Sequence, residues 1–130
     1  MGTLLVKNAL VLVTMDEERR EIPGGGLFVR DNVIEAAGPT DQLPDTADEV
    51  LDLAGHVVMP GLINTHHHFY QTLTRAVPAV QNKELFDWLV GLYPIWAGLS
   101  AEAIGVSAQV AAAELMLSGC TTASDHLYIY

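Results

Sequence analysis

The chain has 130 residues, half of them hydrophobic, with 6 Lys+Arg against 16 Asp+Glu and a formal net charge of -10. A mean hydropathy of +0.27 excludes a disordered chain, which would be poor in apolar residues and rich in charge. An acidic chain without a Lys/Arg cluster grips a phosphate backbone poorly, so nucleic acid and anionic membrane are excluded as primary partners.

Length alone fits one domain of roughly 100–150 residues. The single cysteine, Cys120, allows no internal disulfide. The opening residues lack the basic region and cleavage site of a signal peptide. No run reaches the roughly 18 apolar residues of a membrane span. These readings lead to the expectation of a soluble, cytoplasmic protein. Charge is unevenly spread: 11 of the 16 acidic residues lie at or before Asp52, and the later part is strongly apolar.

Residues 3–14, rich in Val and Leu, read as two short strands or one bent one. A charged loop follows at 16–21, and Pro23-Gly24-Gly25-Gly26 reads as a breaker and flexible connection. It is no phosphate loop, since neither Lys-Ser/Thr nor a helix follows. Residues 27–30 and 33–36 flank Asp31-Asn32, a pair suited to the positive φ angles of a tight hairpin. Gly38-Pro39 ends that strand, 40–48 is a polar connection, and strands at 50–53 and 56–59 surround Ala54-Gly55. Short strands between turns suggest a small β-sandwich.

After Pro60-Gly61 the character changes. Residues 62–66 form a short apolar strand that runs into His66-His67-His68. Asn82 is placed to cap a helix carrying Leu85, Trp88, Leu92 and Trp96, with Pro94 as a kink. Ser100 caps a second helix, in which Ile104, Ala108, Ala111 and Leu115 share a face, and Gly119 closes it. Residues 120–124 then read as a buried strand ending at Asp125-His126. Strand, helical connection and strand make up the unit of a parallel α/β sheet.

Strand side chains alternate faces, so His66 and His68 point to one side and His67 to the other. Two imidazoles at a strand end are half of a metal site suited to Zn²⁺ or Fe²⁺. The other reading of the three histidines is a solvent-exposed or hydrogen-bonded loop. Their setting favours the metal. The run Val58-Met59-Pro60-Gly61-Leu62-Ile63-Asn64-Thr65-His66-His67-His68 closely resembles the first barrel strand of the amidohydrolase superfamily, V-x-P-G-[LF]-I-[DN]-x-H-x-H. The segment from Leu51 to Val58 also resembles that family's N-terminal sandwich. The runs from His66 to Arg75 and from Gly119 to Tyr128 look most like its 8-oxoguanine deaminase and hydroxyatrazine aminohydrolase branch.

The resemblance implies an α/β fold. Residues 1–59 would be part of a small β-sandwich, and residues 60–130 the first strands and helices of a distorted (β/α)8 metal-hydrolase barrel, a fragment of a larger fold. It also implies a metal-dependent aminohydrolase that deaminates a purine-like or triazine ring through a metal-activated hydroxide. His66 and His68 would hold one divalent ion, zinc first, with iron(II) accepted by the same ligands. Histidines from strands 5 and 6, a proton-shuttling Glu and an Asp from strand 8 would lie beyond Tyr130. No catalytic residue is therefore assigned within the chain, and the 130 residues alone are expected to be inactive. The alternatives are a guanine or cytosine deaminase, a triazine hydrolase, or an inactive remnant or small metal-binding module. The expected partner is a small heteroaromatic substrate, and the full-length enzyme is expected to be a homo-oligomer.

Three residues are candidates for substrate contact. Gln71 either meets a ring edge, where an amide can donate and accept, or braces its loop; the resembling branch carries Gln here. His126 and Tyr128, alternating away from Leu127, line the pocket or pack at the barrel mouth. Trp88 reads as core, while Trp96 is core or pocket cover. Arg75 is an anion contact or a salt-bridge partner. Cys120, with no base or cation nearby in sequence, reads as a buried structural thiol. Ser124-Asp125-His126 is not a hydrolytic triad, because neighbouring strand residues face opposite ways.

Overall fold

A computed structural model describes residues 2–128. The chain divides into two compact units, Met1–Pro60 and Gly61–Tyr130. In the first, the Val- and Leu-rich opening forms two strands, β1 (Thr3–Lys7) and β2 (Val11–Val13). Asn8, at φ 59°, supplies the left-handed residue that ends β1 and lets the chain leave for a second sheet. Then come β3 (Glu21–Pro23), β4 (Gly25–Arg30), β5 (Val33–Pro39), a 3-10 turn at Thr40–Gln42, β6 (Glu49–Asp52) and β7 (Val57–Val58). One sheet has the order β5-β4-β1-β6 and the other β3-β2-β7. The β4–β5 hairpin turns at Asp31-Asn32, with the expected positive φ at Asp31 (55°) and not at Asn32.

Leu5, Phe28 and Leu43 form the core here, with Ala36 and Ala47 against them. Each large side chain so buried contributes about 1.5–3 kcal/mol. Acidic side chains add long-range ties. The Asp48 carboxylate accepts from the Thr3 N–H (2.7 Å) and the Thr3 hydroxyl (2.9 Å), while the Asp48 N–H donates back to Thr3 Oγ1 (2.9 Å). Asp52 accepts from Asn8 Nδ2 (2.9 Å) and the Ala54 N–H (3.2 Å). These bonds, led by the Thr3 amide and the Asn8 side chain respectively, hold both carboxyls below their ordinary pKa.

The glycine run corrects the expectation of a flexible connection. Gly25 and Gly26 are buried residues of β4, in register with Pro39 and Gly38 of β5, and the Gly25 carbonyl accepts from the Ala9 N–H at 2.9 Å. A Cβ on Gly26 would overlap the Val6 carbonyl oxygen, and one on Gly25 would sit 2.7 Å from Leu12 Cβ. Close approach of neighbouring backbone demands these glycines. Only Gly24, at φ 63°, serves as a turn residue.

The second unit contains β8 (Leu62–His67), 3-10 turns at Phe69–Thr74 and Pro78–Val80, α1 (Leu85–Trp96), α2 (Ala101–Leu117) and β9 (Cys120–Asp125). β8 and β9 pair in parallel, as the strand–helix–strand reading requires. Its core is Tyr70, Val80, Leu92 and Trp96, flanked by Trp88, Leu89 and Ile104. Trp96 is therefore a core residue: its ring stands edge-on to Tyr70 at 5.4 Å and its Nε1 donates to Thr74 Oγ1 at 3.0 Å. Ser100 caps α2 by accepting from the Ala103 N–H at 3.1 Å, and Gly119 follows at φ 83°.

Asn82 does not cap α1. Its φ of 60° is left-handed, whereas an N-cap needs extended backbone, which Glu84 supplies without a side-chain bond. The expectation of a buried second strand is also corrected. Residues 121–125 of β9 are exposed and Cys120 is half-buried, because two strands leave most of this sheet's surface uncovered. Ile63, on β8, is 69% exposed for the same reason. Among the described residues no helix is long and apolar enough to cross a membrane.

Candidate metal centre

The rings of His66 and His68 stand together, centroids 5.0 Å apart, while the His67 ring packs against Phe69. The two rings meet: Nε2 of His66 lies 3.1 Å from Nε2 of His68. The Asn64 side chain helps shape this strand end, its Oδ1 accepting from the His66 N–H at 3.0 Å. Nδ1 of His68 lies 2.8 Å from the His126 carbonyl oxygen. A carbonyl only accepts, so Nδ1 carries the proton, and a neutral imidazole then leaves its lone pair on Nε2.

This donor set suits a divalent ion. Two nitrogens at roughly 2.0–2.1 Å on adjacent corners of a tetrahedral zinc stand about 3.3 Å apart, close to the observed separation. Outer hydrogen bonding of the His68 type is what fixes ligating imidazoles in metal sites. Among the described residues no group of three or more His, Cys, Asp or Glu is arranged around a metal position. Two imidazoles would supply half of a four-ligand set. The His67 ring is edge-on to Phe69 at 4.8 Å, and its Nδ1 is buried without a hydrogen-bond partner.

A cavity of about 280 Å³ adjoins the pair, lined by the three histidines with Gln71, Thr72 and Arg75. Gln71 sits in the first 3-10 turn, where its Nε2 donates to the Tyr70 hydroxyl at 2.9 Å. Tyr70 is 1% exposed, and burial raises its pKa. The His126 ring lies 4.9 Å from that of His66 and 5.5 Å from that of His68, and the Tyr128 ring lies 5.1 Å from that of His68. All three residues considered for substrate contact therefore stand around the imidazole pair. Arg75 is a salt-bridge partner: its guanidinium engages both carboxylate oxygens of Glu114, which lowers the Glu114 pKa and raises that of Arg75.

Two contributors escaped the sequence reading. Ser107, fully buried on α2, donates from Oγ to the Phe69 carbonyl at 2.6 Å and so fastens the turn that carries Gln71. The buried face of α2, continuous from Ile104 through Ala108 and Ala111, offered the signal, since a serine lies within it. Asp125 accepts at Oδ1 from the Phe69 N–H at 2.9 Å. That contact joins residues 56 apart in sequence and has no local signature.

A parallel strand pair with two imidazoles in contact at the strand end is a candidate edge for holding a metal ion in an α/β fold. Residues 57–130 match the model of the amidohydrolase family, and the chain belongs to that family. It is 52% identical to an 8-oxoguanine deaminase of Pseudomonas aeruginosa over 107 residues, 82% of this chain and 24% of that protein. A hydroxydechloroatrazine ethylaminohydrolase of Pseudomonas sp. strain ADP is 37% identical over 100% of this chain and 29% of its own length. Among solved structures, a variant of an atrazine chlorohydrolase from Arthrobacter aurescens TC1, complexed with zinc and atraton, superposes with a TM-score of 0.91. It is 27% identical, covering 98% of this chain and 29% of that one. The chain spans about a quarter of the length of the curated relatives it matches.

Proposed function

We propose that this chain supplies the opening part of a metal-dependent aminohydrolase, with residues 1–59 as a sandwich segment and residues 60–130 as the first strands of a (β/α)8 barrel. The reaction is hydrolytic removal of an amino group from a purine-like ring, and 8-oxoguanine is the substrate that the 52%-identical relative favours. One observation carries the reading: two Nε2 atoms 3.1 Å apart, with the proton of His68 held on its other nitrogen by the His126 carbonyl.

His66 and His68 hold one divalent ion, zinc by preference, as in the complexed structural relative. When bound, such an ion supplies Lewis acidity that brings the ionisation of water down to about pH 7. Gln71 reads the substrate. With Nε2 occupied by the Tyr70 hydroxyl, its Oε1 is left to accept from a ring N–H. Tyr128 and His126 offer faces against which a flat heterocycle stacks beside His68. Two imidazoles do not complete a four-ligand site, so further ligands and the general acid that protonates the leaving amine come from outside residues 1–130.

A triazine ring is the second reading, favoured by the relative that is 37% identical over the whole chain. The test is ammonia or alkylamine release by the complete, zinc-loaded protein offered 8-oxoguanine, guanine, cytosine and hydroxyatrazine. Fastest turnover of 8-oxoguanine is expected. Preference for hydroxyatrazine selects the second reading, and no release from any of the four rejects both.

A further inference from the structure

Three hydrogen bonds join the end of β9 to the histidine segment. Asp125 Oδ1 accepts from the Phe69 N–H at 2.9 Å, the His126 N–H donates to the His67 carbonyl at 2.9 Å, and the His126 carbonyl accepts from His68 Nδ1 at 2.8 Å. The last two use main-chain groups of His126 and form whatever its side chain is. The first depends on one particular side chain.

Its location gives it a task. The β8–β9 register shifts between Asn64 and His67, so that His67 pairs with Asp125. Such a shift interrupts the regular ladder and leaves main-chain groups to find other partners. The Phe69 N–H follows His68 directly and opens a 3-10 turn, where leading amides have no acceptor within the turn. Asp125 provides that acceptor. The main chain is thereby held on both sides of His68, through the His67 carbonyl before it and the Phe69 amide after it.

We propose that Asp125 is a positioning residue for His68. By accepting from the Phe69 amide it sets the backbone from which His68 reaches, so that Nδ1 meets the His126 carbonyl and Nε2 stays open toward a divalent ion. This rests on the reading of His66 and His68 as metal ligands. The task requires an acceptor at Oδ1 and no negative charge, so Asp125→Asn keeps it and Asp125→Ala loses it.

The test measures zinc affinity of the complete protein by chelator competition, together with the visible spectrum of its cobalt(II)-substituted form. Both are read where circular dichroism shows the metal-free variants folded. Asp125→Asn should bind as the unsubstituted protein does, with the same cobalt spectrum. Asp125→Ala should bind roughly 10-fold or more weakly, the scale of outer hydrogen-bond partners in metal sites, with an altered spectrum. If Asp125→Ala does not fold, Asp125→Ser, too short to reach the amide, carries the same expectation. Unchanged affinity and spectrum in the Ala or Ser variant overturn the inference. Equal loss in Asp125→Asn also overturns it, since charge would then matter. If His68→Ala abolishes binding while Asp125→Ala does not, this inference alone fails; if the unsubstituted protein binds no metal, the ligand reading falls with it.

Discussion

In residues 1–60 acidic side chains tie distant strands together. Asp48 reaches back to Thr3 and Asp52 to Asn8, across 45 and 44 positions, and what they fix is the parallel register of β1 and β6. In residues 61–128 long-range bonds from Ser107 and Asp125 converge on Phe69, next to His68, beside the Arg75–Glu114 and Trp96–Thr74 contacts. Both regions use polar side chains as braces, but the first braces a sheet and the second braces a strand end. A brace on a sheet serves stability. A brace on a strand end serves the aim of the side chains it carries, and here Tyr70 and Ser107 are sealed beside it.

The sharpest way to break this contrast is at the imidazoles. His66→Ala or His68→Ala in the complete protein should lower zinc affinity by more than the roughly 10–100-fold that outer hydrogen-bond partners carry. The melting temperature of the metal-free protein should barely move, because both rings are partly or fully solvent-facing. Isothermal titration and calorimetry check the two halves. A large loss of metal-free stability would make the histidines structural.

A second effect is expected from the core of the same unit. Trp96→Ala removes a buried ring and should cost about 3–5 kcal/mol in denaturant titration. Trp96→Phe keeps most of the burial, loses the bond to Thr74, and should cost about 1 kcal/mol. A near-zero value for Trp96→Ala would show that the turn bearing Gln71 does not depend on this core.

The smallest effect lies in the acidic braces and is read with pH. Hydrogen bonds from Thr3 and Asn8 lower the folded pKa values of Asp48 and Asp52. A depressed carboxyl stabilises the fold fully above its unfolded pKa of about 3.9, and that contribution is lost as pH falls through the lower folded value. Thermal melts across this acid range should show the loss, and Asp48→Asn should reduce it. An identical acid profile in that variant would mean that Asp48 does not brace β1.

How much of this was legible in the sequence follows from the range of the causes. Alternation along 62–68 is local, so the His66–His68 pairing was readable from spacing alone. The Asp31-Asn32 hairpin and the Ser100 cap were readable for the same reason, since each is determined within a few residues. The 3-10 turn at Phe69–Thr74 was not, because Ser107 and Trp96 hold it from 38 and 22 residues away. Gly25 and Gly26 were misread because a glycine run signals a loop locally, and only the neighbouring strand shows that the lack of a side chain is the point. Asn82 misled through composition: it is a favoured cap residue whose backbone here turns the other way. The sandwich and barrel boundaries and the remaining ligands rested on family resemblance, which spacing cannot replace.

β8 has one residue more than β9 between its paired positions Asn64 and His67, so the length of this strand matters more than its spelling. Many single replacements at Thr65 leave His66 and His68 on the same side. Deleting Thr65 removes that extra residue and inserting one beside it adds another, and either change turns the later side chains over relative to β9. In a library covering residues 62–68, function should therefore survive exchanges at Ile63 and Thr65 far more often than any change in the count of residues between Pro60 and His66. The segment is a ruler.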